Sequence, residues 1–181
     1  MEDPVLMSKT IQLKATGETV TFLEDTQTTN GERLLLEVSL PPSGEGPGPH
    51  MHHQQTESFE VLDGVLGVQI SDERLELRAG ERIVVPAGSV HDWWNAGEET
   101  VRFTALVEPA LNMEWMLREI FASCNRRQAG GPLPWDGSYV ITHLRGEYSL
   151  ADVPAPVQRF VFPLMAAVGS VFGLVKVSPK T

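Results

Sequence analysis

Short runs of alternating apolar and polar residues fill the first part of the chain, and the period then changes. Residues 10–14 and 19–23 alternate with period two on either side of Gly17, so they read as a first hairpin. Residues 1–9 read as a loose arm, and 25–31 as a polar turn. Residues 33–40 form a longer strand, apolar enough to be central. Further strands are predicted at 57–62, 65–70, 74–78, 82–85, 91–95 and 100–107, separated by the turn pairs Asp63-Gly64, Ser71-Asp72, Ala79-Gly80 and Ala87-Gly88. Short strands at this spacing predict a sandwich or barrel.

After Pro109 the period becomes helical. Leu111, Met113, Met116, Leu117, Ile120, Phe121 and Cys124 repeat at helical intervals, and Glu114 stands four residues before Arg118. A helix is predicted from about 110 to 127, stopped by Gly130-Gly131. Composition assigns 128–154 mostly to loop, with turn chemistry at Pro132-Leu-Pro-Trp-Asp-Gly. Residues 155–177 are apolar and interrupted by Pro163, Gly169 and Gly173, which reads as a broken helical tail. Its uncharged run, 160–175, falls short of the ~18–20 residues a membrane span needs. A barrel of 1–108 and a helical extension of 109–181 packed on its outside, near a subunit interface, is the resulting domain plan.

Charge and cysteine usage narrow the partners. The formal charge of −10 over 181 residues opposes binding to nucleic acid or to an anionic membrane surface. Met1-Glu-Asp-Pro carries no basic segment followed by an apolar one, as a secretory signal would, and Cys124 stands alone, so a cytoplasmic protein without an internal disulfide is expected. Cys124 falls in a helical pattern with no basic partner nearby and reads as a small core residue.

Chemistry concentrates in the stretch 44–64. His50 and His52 are one residue apart, so on a strand they point the same way, and Glu57 returns after a short polar turn. Neutral imidazoles with one carboxylate suit a divalent transition metal. His91, opening a later strand after Pro86, Ala87 and Gly88, is the natural fourth ligand. His53 points to the other face, and His143 has no partner nearby in sequence.

These two stretches resemble the two motifs of the cupin superfamily. The first takes Gly44, His50, His52, Glu57 and Gly64; the second takes Gly80, Pro86, Gly88, His91 and Asn95. The resemblance spans roughly 33–108 and does not reach the last third of the chain. It implies a double-stranded β-helix, or jelly-roll barrel, and a metal held by His50, His52, Glu57 and His91. Three imidazoles and a carboxylate leave open positions on six-coordinate Fe, Mn, Ni or Co, with Zn as an alternative. Strand parity places Phe59 and Val61 on the face of Glu57 and Trp93 on the face of His91, as apolar walls that contact substrate. Gln54, Gln55 and Thr56 are expected at the pocket rim, and no carboxylate or hydroxyl stands out as a base behind the ligands.

The pattern is similar to small bacterial, quercetin-dioxygenase-like cupins. That likeness implies a dioxygenase-type oxidoreductase acting on a small oxygen-rich or aromatic molecule, with Glu57 both ligand and catalytic base. A metal-dependent isomerase or decarboxylase, or a non-catalytic ligand-binding or sensing cupin, are the alternatives. A storage globulin is a poor fit, since this chain has room for one barrel only. The apolar tail and open sheet edges predict a homodimer.

Overall fold

The computed structural model describes residues 8–180; most of the expected N-terminal arm lies outside them. In chain order the strands are β1 (Thr10–Gln12), β2 (Thr19–Glu24), β3 (Leu34–Leu40), β4 (His50–His52), β5 (Thr56–Asp63), β6 (Val65–Ile70), β7 (Glu73–Arg78), β8 (Arg82–Val85), β9 (Val90–Asn95) and β10 (Val101–Glu108), with a short β11 (Tyr148–Leu150) far downstream. They form one sheet in the order β1-β2-β3-β10-β5-β8 and a second in the order β11-β4-β9-β6-β7. All the pairings are antiparallel, which makes the jelly roll that the strand spacing and motifs predicted.

Period-two patterning explains which faces turn inward. On β3, Leu34, Leu36, Val38 and Leu40 are buried, and on β10 Val101, Phe103, Ala105 and Val107 are buried. The register sets Val38 opposite Phe103 and Leu36 opposite Ala105. Each large side chain removed from water this way contributes about 1.5–3 kcal/mol. The Asp63-Gly64 turn needs its glycine. Gly64 sits at φ +81°, and a Cβ there would lie 2.9 Å from the Val101 Cα.

Three α-helices follow: α1 (Met113–Arg127), α2 (Pro134–His143) and α3 (Phe162–Val171), the last entered through a π-helical turn at Val157–Val161. The Glu114–Arg118 pair forms at 2.8 Å. Glu114 also accepts hydrogen bonds from the Thr26 backbone N–H and hydroxyl, tying α1 to the turn after β2.

The region 128–154 departs from its expectation as mostly loop, because it holds both α2 and β11. Its glycines and prolines suggested turns, but Pro134 occupies the first turn of α2, where no backbone donor is needed. Asp136 anchors that helix. Its fully buried carboxylate accepts hydrogen bonds from Ser123 Oγ, the Arg126 guanidinium and the Lys176 backbone N–H, each at 2.7 Å. That charged group is thus compensated.

The helices meet the barrel around a cavity. Met113, Met116, Phe121 and Cys124 of α1, Ile141 of α2 and Met165 of α3 line the same cavity as Val20, Val38, Phe103 and Trp93 of the barrel. The sheets alone leave apolar interior open at that side, and burying both surfaces against each other is the lower-energy arrangement. No helix among the described residues is long and apolar enough to cross a membrane. The outward side of the last segment nonetheless exposes Phe160, Leu164, Val168 and Phe172.

Candidate metal centre and cavity

The two sheets meet at four buried polar residues. His50 and His52 project inward from β4 while Met51 between them is half-buried on the other side. Gly48, at φ +76°, turns the chain into that strand. Antiparallel pairing of β4 with β9 sets His91 opposite His50. Glu57 reaches the same point from β5 in the facing sheet. One ligand atom from each of His50, His52, Glu57 and His91 falls within 4.8 Å of all the others.

Hydrogen bonds behind the rings decide which nitrogen points inward. Gln55 donates its amide to the Ala110 carbonyl at 3.1 Å, so its Oε1 is the atom that faces His52 Nδ1 at 3.2 Å. His52 Nδ1 therefore carries the proton, and its Nε2 is a free lone pair. The Gly48 carbonyl takes His50 Nδ1 at 2.8 Å, and the Ser89 carbonyl takes His91 Nδ1 at 3.1 Å. All the Nε2 atoms are thus aimed at one centre, as metal-binding histidines usually are by their outer partners.

The electrostatics agree. Burial, then the charges of His91 and His52, push the His50 imidazole down to about 3. Burial is also the main cause that lowers His52. Burial alone would raise Glu57, but the hydrogen bond from His91 and the nearby imidazoles hold it below the usual carboxylate range. Burial opposes charge on His91 as well, yet its 3.0 Å contact with Glu57 and that carboxylate's charge raise it above an ordinary imidazole. His52 Nε2 is buried with no hydrogen-bond partner and lies 3.5 Å from Glu57. A buried, unpaired acceptor is costly. Neutral His50 and His52, with His91 paired to the ionised Glu57, form a donor set that a divalent cation completes by taking the place of the His91 proton, so these residues fit a metal.

This centre opens on a cavity of about 540 Å³. Phe59 and Trp93 line it. Val61 shares their face and is 1% exposed, but it is not on the cavity wall. The edge-to-face contact of Phe59 with Phe103, at 5.8 Å between centroids, comes first along the strand and leaves Val61 in the core. Trp94 turns outward under the Arg74 guanidinium, 4.1 Å from its ring. His53 and His143 are exposed and stand apart from the cluster. Asn95 donates to the carbonyls of Leu40 and Glu99, a structural task.

Sequence reasoning underrated Gln55, which is 2% exposed behind His52 rather than at the rim. It missed Tyr148 altogether. β11 pairs with β4 so that Tyr148 lies opposite His52, and its ring stacks on His50 at 5.1 Å. Burial and then the Glu57 charge push its phenol well above its usual value, keeping it a neutral donor. Alternation over 148–150 was the available signal, too short to separate from loop.

Residues 36–107, which lie within the jelly roll, match the family described as Cupin domain. A curated relative is "Probable oxidoreductase patJ" of Penicillium expansum, 42% identical over 65 residues, a match covering 35% of this chain and 20% of that protein. Another is a germin-like protein, subfamily T member 2, of Arabidopsis thaliana, 39% identical over 70 residues, covering 36% of this chain and 31% of that one. The chain therefore spans less than a third of these relatives' lengths. Among solved structures, the polyketide cyclase RemF from Streptomyces resistomycificus is 27% identical with a TM-score of 0.47, over 60% of this chain and 80% of that one.

Proposed function

We propose that this cupin-fold protein is a metal-dependent oxidoreductase of the dioxygenase type, acting on a small oxygen-rich or aromatic molecule held in the cavity. The observation that carries the reading is the convergence of three outer-bonded imidazoles and an ionised Glu57 on one point of an apolar cavity wall. The oxidoreductase names of fungal relatives, matched over part of their length, support it.

His50, His52, Glu57 and His91 would hold the ion. Bound there, Fe, Mn, Ni or Co would polarise chelating oxygens and exchange electrons with O₂. The protein's own part is placement and exclusion. Phe59 and Trp93 on the barrel side and Met113, Met116 and Phe121 on the α1 side form walls that keep water from a bound apolar body. Among the described residues Glu57 is the one carboxylate at the centre, and it can accept a proton from a chelating hydroxyl. Tyr148 offers a phenolic hydroxyl beside the imidazoles. The barrel of 1–108 and the extension of 109–181 act as one unit in this reading, because both wall the cavity.

Oxygen uptake tests the proposal. Iron-loaded protein should consume O₂ with a flavonol, β-diketone or catechol, and His52→Ala should lose both metal and uptake. Turnover of such compounds without O₂ consumption would replace the reading with an isomerase or decarboxylase. Binding without turnover would leave a sensor or carrier.

We also infer a homodimer. Phe160, Leu164, Val168 and Phe172 recur at helical spacing on one side of the last segment, exposed and without a charge among them. A second copy covers such a face by two-fold packing.

A further inference from the structure

Glu18 immediately precedes β2 and shares the inward parity of Val20 and Phe22. It is 8% exposed and lines the cavity beside Thr16 of the hairpin and Cys124 of α1. Among the described residues its carboxyl makes no side-chain hydrogen bond and no ion pair. Leu13, Val20, Val38 and Cys124 line the same cavity, and Thr16 Oγ1 is taken by the Glu18 backbone N–H at 3.3 Å rather than by the carboxyl. A carboxyl in such surroundings is an expense that proteins usually avoid or offset with a partner. Every other buried carboxylate among the described residues has one: Glu57 has His91, Glu114 has Thr26 and Arg118, and Asp136 has Ser123 and Arg126.

Its place in the cavity is as informative as its lack of a partner. Thr19 pairs with Ser39, so Glu18 comes level with Leu40. The Leu40 carbonyl accepts the Asn95 side-chain amide at 2.9 Å, and Asn95 lies four residues along β9 from His91. Four residues of strand span roughly 13 Å. Glu18 and the histidine cluster therefore stand at opposite ends of one apolar chamber.

We propose that Glu18 is a second recognition group, which accepts a hydrogen bond from a hydroxyl at the distal end of an elongated aromatic ligand. The ligand chelates with adjacent oxygens at the histidine end, lays its rings between Phe59, Trp93 and the α1 side chains, and presents its remote hydroxyl to Glu18. This rests on the metal site proposed above and adds the length and the far-end chemistry of what it takes. A cavity of about 540 Å³ is the size that encloses such a molecule. The carboxylate that the ligand satisfies is costly in its absence, which is the usual mark of a group kept for binding.

The test pairs two probes with three proteins, all loaded with Co(II) and assayed by equilibrium dialysis. The probes are 3-hydroxyflavone and its 4′-hydroxy derivative, which differ only in the remote hydroxyl. Wild type should bind the hydroxylated probe roughly 10-fold more tightly, the value of a hydrogen bond to a charged group. Glu18→Leu should lose that preference and keep its affinity for 3-hydroxyflavone. Glu18→Gln, which conserves shape and removes the charge, should retain only part of the preference and guards against misfolding of the leucine variant. An equal preference in wild type and Glu18→Leu overturns the proposal, as does wild type that binds 3-hydroxyflavone but shows no preference. Failure of the underlying site reads out separately, as no cobalt retained by wild type.

Discussion

Replacing Glu18 with glutamine should stabilise the protein, and by an amount that depends on pH. Burial raises the Glu18 carboxyl from 4.5 to about 7. In the unfolded chain it ionises near its ordinary value, so between those two points the unfolded state sheds a proton that the folded state keeps. The sign follows: stability is intact below about 4.5, falls as pH rises through the window to about 7, and levels off above it. The full difference, at about 1.36 kcal/mol for each pH unit, comes to about 3 kcal/mol by pH 8 and under about 1 kcal/mol at pH 5. Glutamine has the same shape and no charge to desolvate, so it escapes this cost. For a domain of this size 1 kcal/mol corresponds to roughly 2–4 °C, so the variant should melt roughly 6–12 °C higher at pH 8 and only about 2–3 °C higher at pH 5. Differential scanning calorimetry of wild type and Glu18→Gln from pH 4 to pH 9 reads this directly. A melting-point difference that does not change with pH, or a variant less stable than wild type at pH 8, would refute the reasoning. The first result would mean that Glu18 ionises normally in the fold; the second, that its carboxyl accepts bonds the amide cannot replace.

Gln55→Leu should keep the fold but weaken metal binding by about 10–100-fold, since His52 loses the acceptor that orients it; chelator competition measures this, and an unchanged dissociation constant would count against that role. Gly64→Ala should cost more than about 1 kcal/mol in urea unfolding, because it forces a side chain into a left-handed turn and against the Val101 backbone; an unshifted midpoint would contradict it. Leu164→Glu should convert a dimer into a monomer in light scattering at tens of micromolar, because it places a charge on the exposed face of α3; a wild type that is already monomeric there would remove the dimer reading.

The barrel strands were legible because each is a local pattern. Alternation in 33–40 and 100–107 marks the inward faces without knowledge of their partners, and Asp63-Gly64 announces its own turn. The spacing of His50, His52, Glu57 and His91 was legible for the same reason, since strand parity and motif offsets are properties of the chain. Val61 shows the limit of parity, which names a face but not the depth at which the Phe59 and Phe103 rings close the cavity. α2 was hidden by turn-forming residues, because its anchor Asp136 acquires partners only from α1 and from the backbone at Lys176.

What the sequence determined by itself is therefore the strand periodicity, the turns and the four converging donors. Only the tertiary structure decided that β11 pairs with β4 and sets Tyr148 on His50, that Gln55 turns inward behind His52, and that helix and barrel side chains wall one cavity. Those outcomes depend on which distant surfaces exclude water together. Burial of that kind is a property of the assembled chain, and no local pattern carries it.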